Sequence, residues 1–133
     1  MRVYIAGKID LKNMNKTRKR FETVQKRLEE PGFDVYNPAA YELGNGFSRE
    51  ELAERDFRAL DEADVLFVFT NEMSLGTMIE LGYFITKKRI TGKAYKFTTM
   101  HDFMKNYSPI TYPVDLITNN LDEGIEFLKK VFS

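Results

Sequence analysis

The chain has 133 residues, 43% of them hydrophobic, which is enough to close one core and predicts a single domain over residues 1–133. Twenty Lys and Arg residues balance twenty Asp and Glu residues, so no net basic field favours a nucleic acid or an anionic membrane as partner. With no cysteine and one histidine, the composition excludes disulfides, thiolate metal sites and histidine-rich zinc sites, and we expect neither a metal nor a cofactor.

No apolar run approaches the roughly 18 residues that span a bilayer. The first residues lead directly into a strand pattern and not into a signal peptide. The sequence therefore predicts a cytoplasmic protein whose partner is a small molecule or another protein.

The first third of the chain alternates strand and helix patterns. Residues 3–6 are apolar and end at Gly7, which predicts a buried first strand. Apolar side chains then recur every three or four positions until Pro31 and Gly32, which predicts an amphipathic helix. Residues 33–36 predict a short second strand. The predicted apolar face of the helix consists of Met14, Thr17, Phe21, Val24 and Leu28.

The middle of the chain contains the strongest patterns. Ser48 and Glu51 have the spacing of a capping box, which predicts a second helix over residues 49–63. Residues 64–70 form a continuous apolar run without alternation, typical of a central parallel strand covered on both faces. A turn follows, and a third helix is predicted over about residues 76–88.

Beyond the third helix the patterns are weaker. Residues 94–98 and 114–118 predict two further strands, residues 101–107 a short helix and residues 123–132 a closing amphipathic helix. Five strands alternating with helices predict an α/β fold, a three-layer flavodoxin-like domain whose five-stranded parallel sheet has the order 2-1-3-4-5.

Ligands of such sheets bind beyond the carboxyl ends of the first and third strands. The loops over residues 7–14 and 71–76 are therefore predicted to line the site. The third helix begins at this crevice, and we expect Glu80 near its first turn, where the helix dipole favours an ionised carboxylate and hence a nucleophile. The alternative is an ordinary first-turn acidic residue without a chemical role.

Asp56 is the second candidate carboxylate. On the predicted second helix it shares a face with Leu52 and Leu60, and a carboxylate on an apolar face is costly unless it is paired or used. The alternative is an aspartate at the helix edge, paired with Arg55 or Arg58.

Four segments together resemble the nucleoside 2-deoxyribosyltransferase superfamily. Residues 74–83, Ser-Leu-Gly-Thr-Met-Ile-Glu-Leu-Gly-Tyr, resemble the family's nucleophile segment, and residues 4–7, Tyr-Ile-Ala-Gly, resemble its opening strand. Residues 55–56 and 63–64 resemble its aspartate-containing helix. Asp56 and Glu80 have the separation found in the deoxynucleoside-monophosphate hydrolase branch.

The resemblance implies a role for each matched residue. Glu80 would attack the anomeric carbon of the sugar, Asp56 would serve as the acid/base group or hold the sugar hydroxyls, and Tyr4 would orient Glu80. The backbone amides of Gly76 and Thr77 would receive the 5′ end of the sugar. The resemblance also implies a homodimer or higher homo-oligomer.

Ser74 indicates which chemical group the 5′ end of the sugar carries. The family's nucleoside transferases resemble one another in having aspartate at this position, whereas its 5′-monophosphate hydrolases have serine, which does not repel a phosphate. The loop Gly7-Lys8-Ile9-Asp10 would bind substrate from the other side. It departs from the Gly-Ser-Ile-Arg pattern of the monophosphate branch, and Lys8 is the candidate replacement for the arginine.

The sequence leaves several activities open. The enzyme would transfer the sugar from a nucleoside or its 5′-monophosphate to another base or to water, or be a strict 5′-monophosphate glycosidase. A non-catalytic nucleotide-binding module and a partner-binding domain are the alternatives of other classes. Flavin is disfavoured because the loop after the first strand lacks a Ser/Thr-rich phosphate cradle.

Overall fold

The computed structural model describes residues 1–40, 46–69, 74–92, 114–118 and 120–132, and the backbone of residues 98–99. The predicted helix over residues 101–107 and most of the predicted strand over residues 94–98 lie outside this part. Helices and strands alternate along the described chain. In chain order they are β1 (Arg2–Ala6), α1 (Met14–Glu29), β2 (Asp34–Tyr36), a 3-10 turn (Pro38–Ala40), α2 (Arg49–Glu62), β3 (Val65–Val68), α3 (Leu75–Thr91), β4 (Thr98–Thr99), β5 (Leu116–Ile117) and α4 (Leu121–Phe132).

All strand pairs are parallel, and β1 lies between β2 and β3. Beyond β3 the sheet continues through β4 and β5, in the order β2-β1-β3-β4-β5. The predicted α/β class with a parallel sheet is confirmed. β5 covers only two of the five residues predicted for the fifth strand, over 114–118, so that prediction was too long. The predicted length of the fourth strand stays a prediction, because residues 93–97 lie outside the described part.

The helices cover both faces of the sheet, which gives three layers. Alternate residues along each strand point to opposite faces, so each strand contributes to two separate cores. One core joins the sheet to α1 and α4 and includes Val3, Ile5, Val65, Phe67, Phe21, Leu28, Ile125 and Leu128. The other joins it to α2 and α3 and includes Tyr4, Ala6, Leu66, Val68, Leu60, Ala63, Leu81 and Phe84. Every residue of β3 is buried, as the uninterrupted apolar run predicts.

Local signals fix where the helices begin and end. The Ser48 side chain accepts a hydrogen bond from the Glu51 backbone, and the Ser48 backbone donates one to the Glu51 side chain, so the predicted capping box is confirmed. α3 ends at Gly92, whose φ of 67° is readily adopted only by a residue without a side chain. In the described part of the chain, no helix has the length and apolar character that crossing a membrane requires.

Candidate active site

The three predicted catalytic side chains converge on the side of the sheet that α2 and α3 cover. Tyr4 comes from β1, Asp56 from α2 and Glu80 from α3. The charges of Glu80 and Asp56 both raise the pKa of Tyr4, and the charge of Asp56 raises that of Glu80. Residues 24 to 76 positions apart in the sequence therefore act on one another electrostatically in the fold.

Glu80 lies deeper in α3 than the sequence indicates. Ser74 is the N-cap and Leu75 the first helical residue, one residue before the predicted start, so Glu80 lies in the second turn, just beyond the first. The helix dipole acts mainly within the first turn, and here burial outweighs it. Burial, assisted by the negative charge of Asp56, raises the Glu80 pKa to about 7, while Tyr4 opposes the shift.

Tyr4 is fully buried between the sheet and α3. Its hydroxyl lowers the pKa of the neighbouring Glu80 carboxyl, yet in the described part of the chain it makes no hydrogen bond. Burial and the two neighbouring carboxylates raise the pKa of Tyr4, so the phenol stays protonated and remains a donor. A short movement of Glu80 or the arrival of a ligand oxygen would complete this bond.

Asp56 is half-buried on the inner face of α2. Burial raises its pKa, while a hydrogen bond from Tyr36 and the charge of Arg55 oppose the rise. The Tyr36 hydroxyl donates to Oδ1 of Asp56 over 2.8 Å. Both sequence interpretations thus hold in part: Asp56 faces inwards, and Arg55 compensates some of its charge.

Tyr36 is the residue of this site whose role sequence reasoning missed. Sequence alone indicates only an aromatic residue flanking the loop after β2. In the parallel register Tyr4 and Tyr36 are paired across β1 and β2, and their rings stack with centroids 5.1 Å apart. The pairing of the two strands was the signal that could have found Tyr36, because paired residues face the same side of a sheet.

The first turn of α3 provides a second group of polar atoms. The Ser74 side chain accepts a hydrogen bond from the Thr77 backbone over 3.5 Å, and its hydroxyl proton remains available to a ligand. Among the described residues, the buried Thr77 hydroxyl has no hydrogen-bond partner. A methyl group at Gly76 would meet, of the atoms described, only Ser74 Oγ at 3.9 Å, so the described packing does not require this glycine. Residues 71–73 of the predicted loop lie outside the described chain.

The loop after β1 is held by its own hydrogen bonds. Oδ1 of Asp10 accepts from the Lys12 backbone over 3.0 Å, and the Asp10 backbone donates to Thr17. Asp10, which departs from the resembled family pattern, therefore shapes the turn. Of the predicted binding residues in this loop, Gly7 is buried, Lys8 half-buried and Ile9 exposed.

A cleft of about 290 Å³ opens beside the two stacked tyrosines, over β2 and next to the end of α2. Ala59 lines it near the tyrosines, and Arg2 and Glu62 line its outer part. Within the described residues, no group of three His, Asp or Glu side chains is arranged to hold a metal ion. The reactive groups that the described chain brings together are two carboxyls and two phenols.

Comparison with known proteins connects this arrangement to a family and a fold. The family described as Domain of unknown function (DUF4406) matches residues 1–91, which include Tyr4, Asp56 and Glu80. No curated protein matches the chain.

Several solved structures share the fold over nearly the whole chain. A CMP N-glycosidase of Clostridium botulinum is 22% identical with a TM-score of 0.63, over 97% of this chain and 98% of its own. A 2-deoxyribosyltransferase of Bacillus psychrosaccharolyticus is 19% identical with a TM-score of 0.65, over 92% and 89%. A Leishmania mexicana protein described as a 2-desoxiribosyltransferase is 12% identical with a TM-score of 0.65, over 99% of both chains. The resemblance seen in the sequence is thus confirmed at the level of the fold.

Proposed function

This chain belongs to the DUF4406 family, and we propose that it is an enzyme that cleaves the N-glycosidic bond of a nucleoside or nucleoside 5′-monophosphate through Glu80. One observation carries the proposal: two carboxyls with raised pKa values, Glu80 and Asp56, act on one another, and each interacts with a tyrosine. Carboxyl pairs with perturbed pKa values are typical of glycosidic bond cleavage.

The solved relatives support the same chemistry. One is a CMP N-glycosidase and two are 2-deoxyribosyltransferases. All three are named for reactions at the bond between a sugar and a nucleobase. This chain shares its fold with all three, which supports cleavage of the same bond. Its side chains supply the groups that the reaction needs.

In the proposed reaction, the ionised carboxylate of Glu80 attacks the anomeric carbon. The bond from that carbon to the base nitrogen breaks, and its electron pair leaves with the base, which takes a proton from Asp56. Asp56 then removes a proton from water, and the resulting hydroxide attacks the same carbon and releases Glu80. Attack by a second base in place of water transfers the sugar. Two displacements retain the anomeric configuration.

The 5′ end of the sugar is proposed to lie at the first turn of α3. The backbone amides of Gly76 and Thr77 point out of a helix N-terminus, and the Ser74 and Thr77 hydroxyls are donors within the same turn. Neutral hydrogen-bond donors suit a phosphate. Ser74 therefore favours the second candidate function, a strict 5′-monophosphate glycosidase, with Lys8 approaching from the loop after β1.

Turnover of defined substrates tests the proposal. The protein is incubated with deoxynucleosides, ribonucleosides and their 5′-monophosphates, with and without a second free base, and the products are separated by chromatography. Hydrolysis yields free base and sugar, whereas transfer yields a new nucleoside. Release of base from monophosphates alone would identify the strict glycosidase.

Glu80→Ala separates an enzyme from a non-catalytic nucleotide-binding module. We expect substrate affinity to persist in calorimetry and turnover to vanish, while Glu22→Ala, at an exposed position of α1, retains full activity. The wild-type protein, denatured during turnover, should carry one sugar unit on Glu80 by mass spectrometry. Undiminished turnover in Glu80→Ala would contradict the mechanism, and binding without turnover in the wild type would favour the binding module.

We also propose that the enzyme works as a cytoplasmic homodimer or higher homo-oligomer. Leu75 and Ile79 are 78% and 53% exposed on α3, next to Glu80, and exposed apolar side chains at a site favour a protein contact. Sedimentation equilibrium measures the number of subunits, and a monomer at catalytic concentrations contradicts this part of the proposal.

A further inference from the structure

We infer that Tyr36 is a positioning residue that holds one oxygen of Asp56 and turns the other towards the leaving base. The inference rests on the proposed function, because it assigns Tyr36 to the same reaction. It concerns a residue that does not touch the reacting atoms.

The geometry of β1 and β2 carries the inference. Their register pairs Tyr4 with Tyr36, and the stacked rings are inclined by only 26°. Tyr4 is fully buried, so it gives Tyr36 a rigid surface to lie against. The Tyr36 hydroxyl is therefore held at a fixed place on the face of the sheet that α2 covers.

Asp56 meets that hydroxyl from α2. Oδ1 accepts the Tyr36 proton over 2.8 Å, an ordinary distance for a strong hydrogen bond to a carboxylate. The described residues place no hydrogen bond on Oδ2. A carboxyl has two oxygens, so fixing Oδ1 both orients the group and leaves Oδ2 as the atom that exchanges a proton with the substrate.

Each of the two carboxyls interacts with a different tyrosine. Tyr4 interacts with Glu80 and Tyr36 with Asp56, so each carboxyl has its own phenol and the phenols stack on one another. The charged and titratable groups that act on Asp56 or respond to it are Tyr36, Arg55, Tyr4 and Glu80. Of these, Tyr36 alone donates a hydrogen bond to Asp56 within the described part of the chain.

Tyr36→Phe removes the hydroxyl and keeps the stacked ring. A hydrogen bond to an ionised group is strong enough that its loss should lower kcat by about tenfold to a hundredfold, with a smaller effect on KM. The hydrogen bond favours the charged form, so its removal raises the Asp56 pKa, and the limb of the pH profile due to Asp56 moves to higher pH.

The structure offers a matched control in Tyr83→Phe. Tyr83 also donates to an aspartate of α2, Asp61, but this pair is exposed and lies beyond Asp56 along the helix. If Tyr36 acts only on stability, the two variants should behave alike, with a lower melting temperature and an unchanged pH profile. If Tyr36 positions Asp56, only Tyr36→Phe should change kcat and the pH profile.

A double-mutant cycle and a titration complete the test. In the Asp56→Asn background, Tyr36→Phe should have no further effect on kcat, because the partner is gone. Carbon-13 NMR of labelled aspartate gives the Asp56 pKa without turnover, and it should rise in Tyr36→Phe. If the wild type turns over substrate, two results overturn the inference alone. One is an unchanged Asp56 titration in Tyr36→Phe, and the other is an equal effect of Tyr36→Phe on kcat with and without Asp56. Absence of turnover in the wild type overturns the proposed function instead.

Discussion

At the residue scale, the role proposed for Glu80 and its surroundings oppose one another. As the proposed nucleophile, Glu80 must be ionised, yet burial and the charge of Asp56 raise its pKa to about 7. The neighbouring Tyr4 hydroxyl acts in the other direction and lowers the Glu80 pKa. At neutral pH the free protein therefore holds a mixture of protonated and ionised Glu80, and the activity should rise with pH through this range.

The charge of Asp56 offers a direct test of this balance. Asp56→Asn removes a negative neighbour, so the Glu80 pKa should fall and the ionised nucleophile should persist at lower pH. The residual kcat/KM, measured as base release, should therefore have its rising limb below that of the wild type. Carbon-13 titration of the Glu80 carboxyl measures the same change without turnover.

Glu54→Gln is the control for this measurement, since it removes an exposed negative charge from the same helix. It should leave the rising limb where the wild type has it. A limb that stays in place or moves upwards in Asp56→Asn would show that Asp56 does not act on Glu80 through its charge.

At the scale of elements, the sequence predicts most of what surrounds the site. The capping box at Ser48 and the apolar run of β3 are local signals, and both elements lie where they are predicted. The start of α3 was predicted at about residue 76 and lies one residue earlier, at Leu75, because the boundary depends on which residue caps the helix. Ser74, two residues before Gly76, is that cap.

The contact between Tyr36 and Asp56 could not be predicted from local sequence patterns, for a different reason. It requires β1 and β2 to pair in one register and α2 to cross the sheet at that level, and no pattern within either element states this. The resemblance gave the positions of Glu80, Asp56 and Tyr4 but said nothing about Tyr36. Long-range pairing is the information that a single sequence lacks.

A substitution at Gly76 tests the role of the first turn of α3. Gly76→Ala has room for its methyl group, so the loss of glycine freedom should stabilise the fold by roughly 0.4–1 kcal/mol. If the turn receives the 5′ end of the substrate, the same methyl group should hinder it and raise KM roughly threefold to tenfold, as for one lost hydrogen bond.

Gly82→Ala is the matched variant, because Gly82 lies in the same helix and a methyl group there meets no described atom within 4 Å. Chemical denaturation and steady-state kinetics of the two variants provide the comparison. Both should gain stability, and only Gly76→Ala should lose affinity. Equal kinetics would place the 5′ end of the substrate elsewhere.

For the molecule as a whole, the raised Glu80 pKa links stability to pH. The Glu80 pKa is higher in the folded state than in the unfolded chain, so this carboxyl favours folding most at pH values below its unfolded-state pKa, near 4.5. The contribution is lost as the pH rises through about 7. The shift corresponds to a destabilisation on the order of 3 kcal/mol at pH 8. A site that holds a buried carboxylate for chemistry thus lowers the stability of the fold that carries it.

Glu80→Gln should remove this cost, because the amide has nearly the same shape and does not ionise. Urea unfolding should show the variant more stable than the wild type at pH 8, with the difference shrinking as the pH falls towards 4.5, while Glu22→Gln on the exposed face of α1 controls for the loss of a carboxylate as such. The sign is opposite to that of an ordinary surface carboxylate in an ion pair, whose removal destabilises at high pH. A variant less stable than the wild type at pH 8 would mean that the ionised Glu80 is stabilised within the fold, and that the site is built to hold the charge and not the proton.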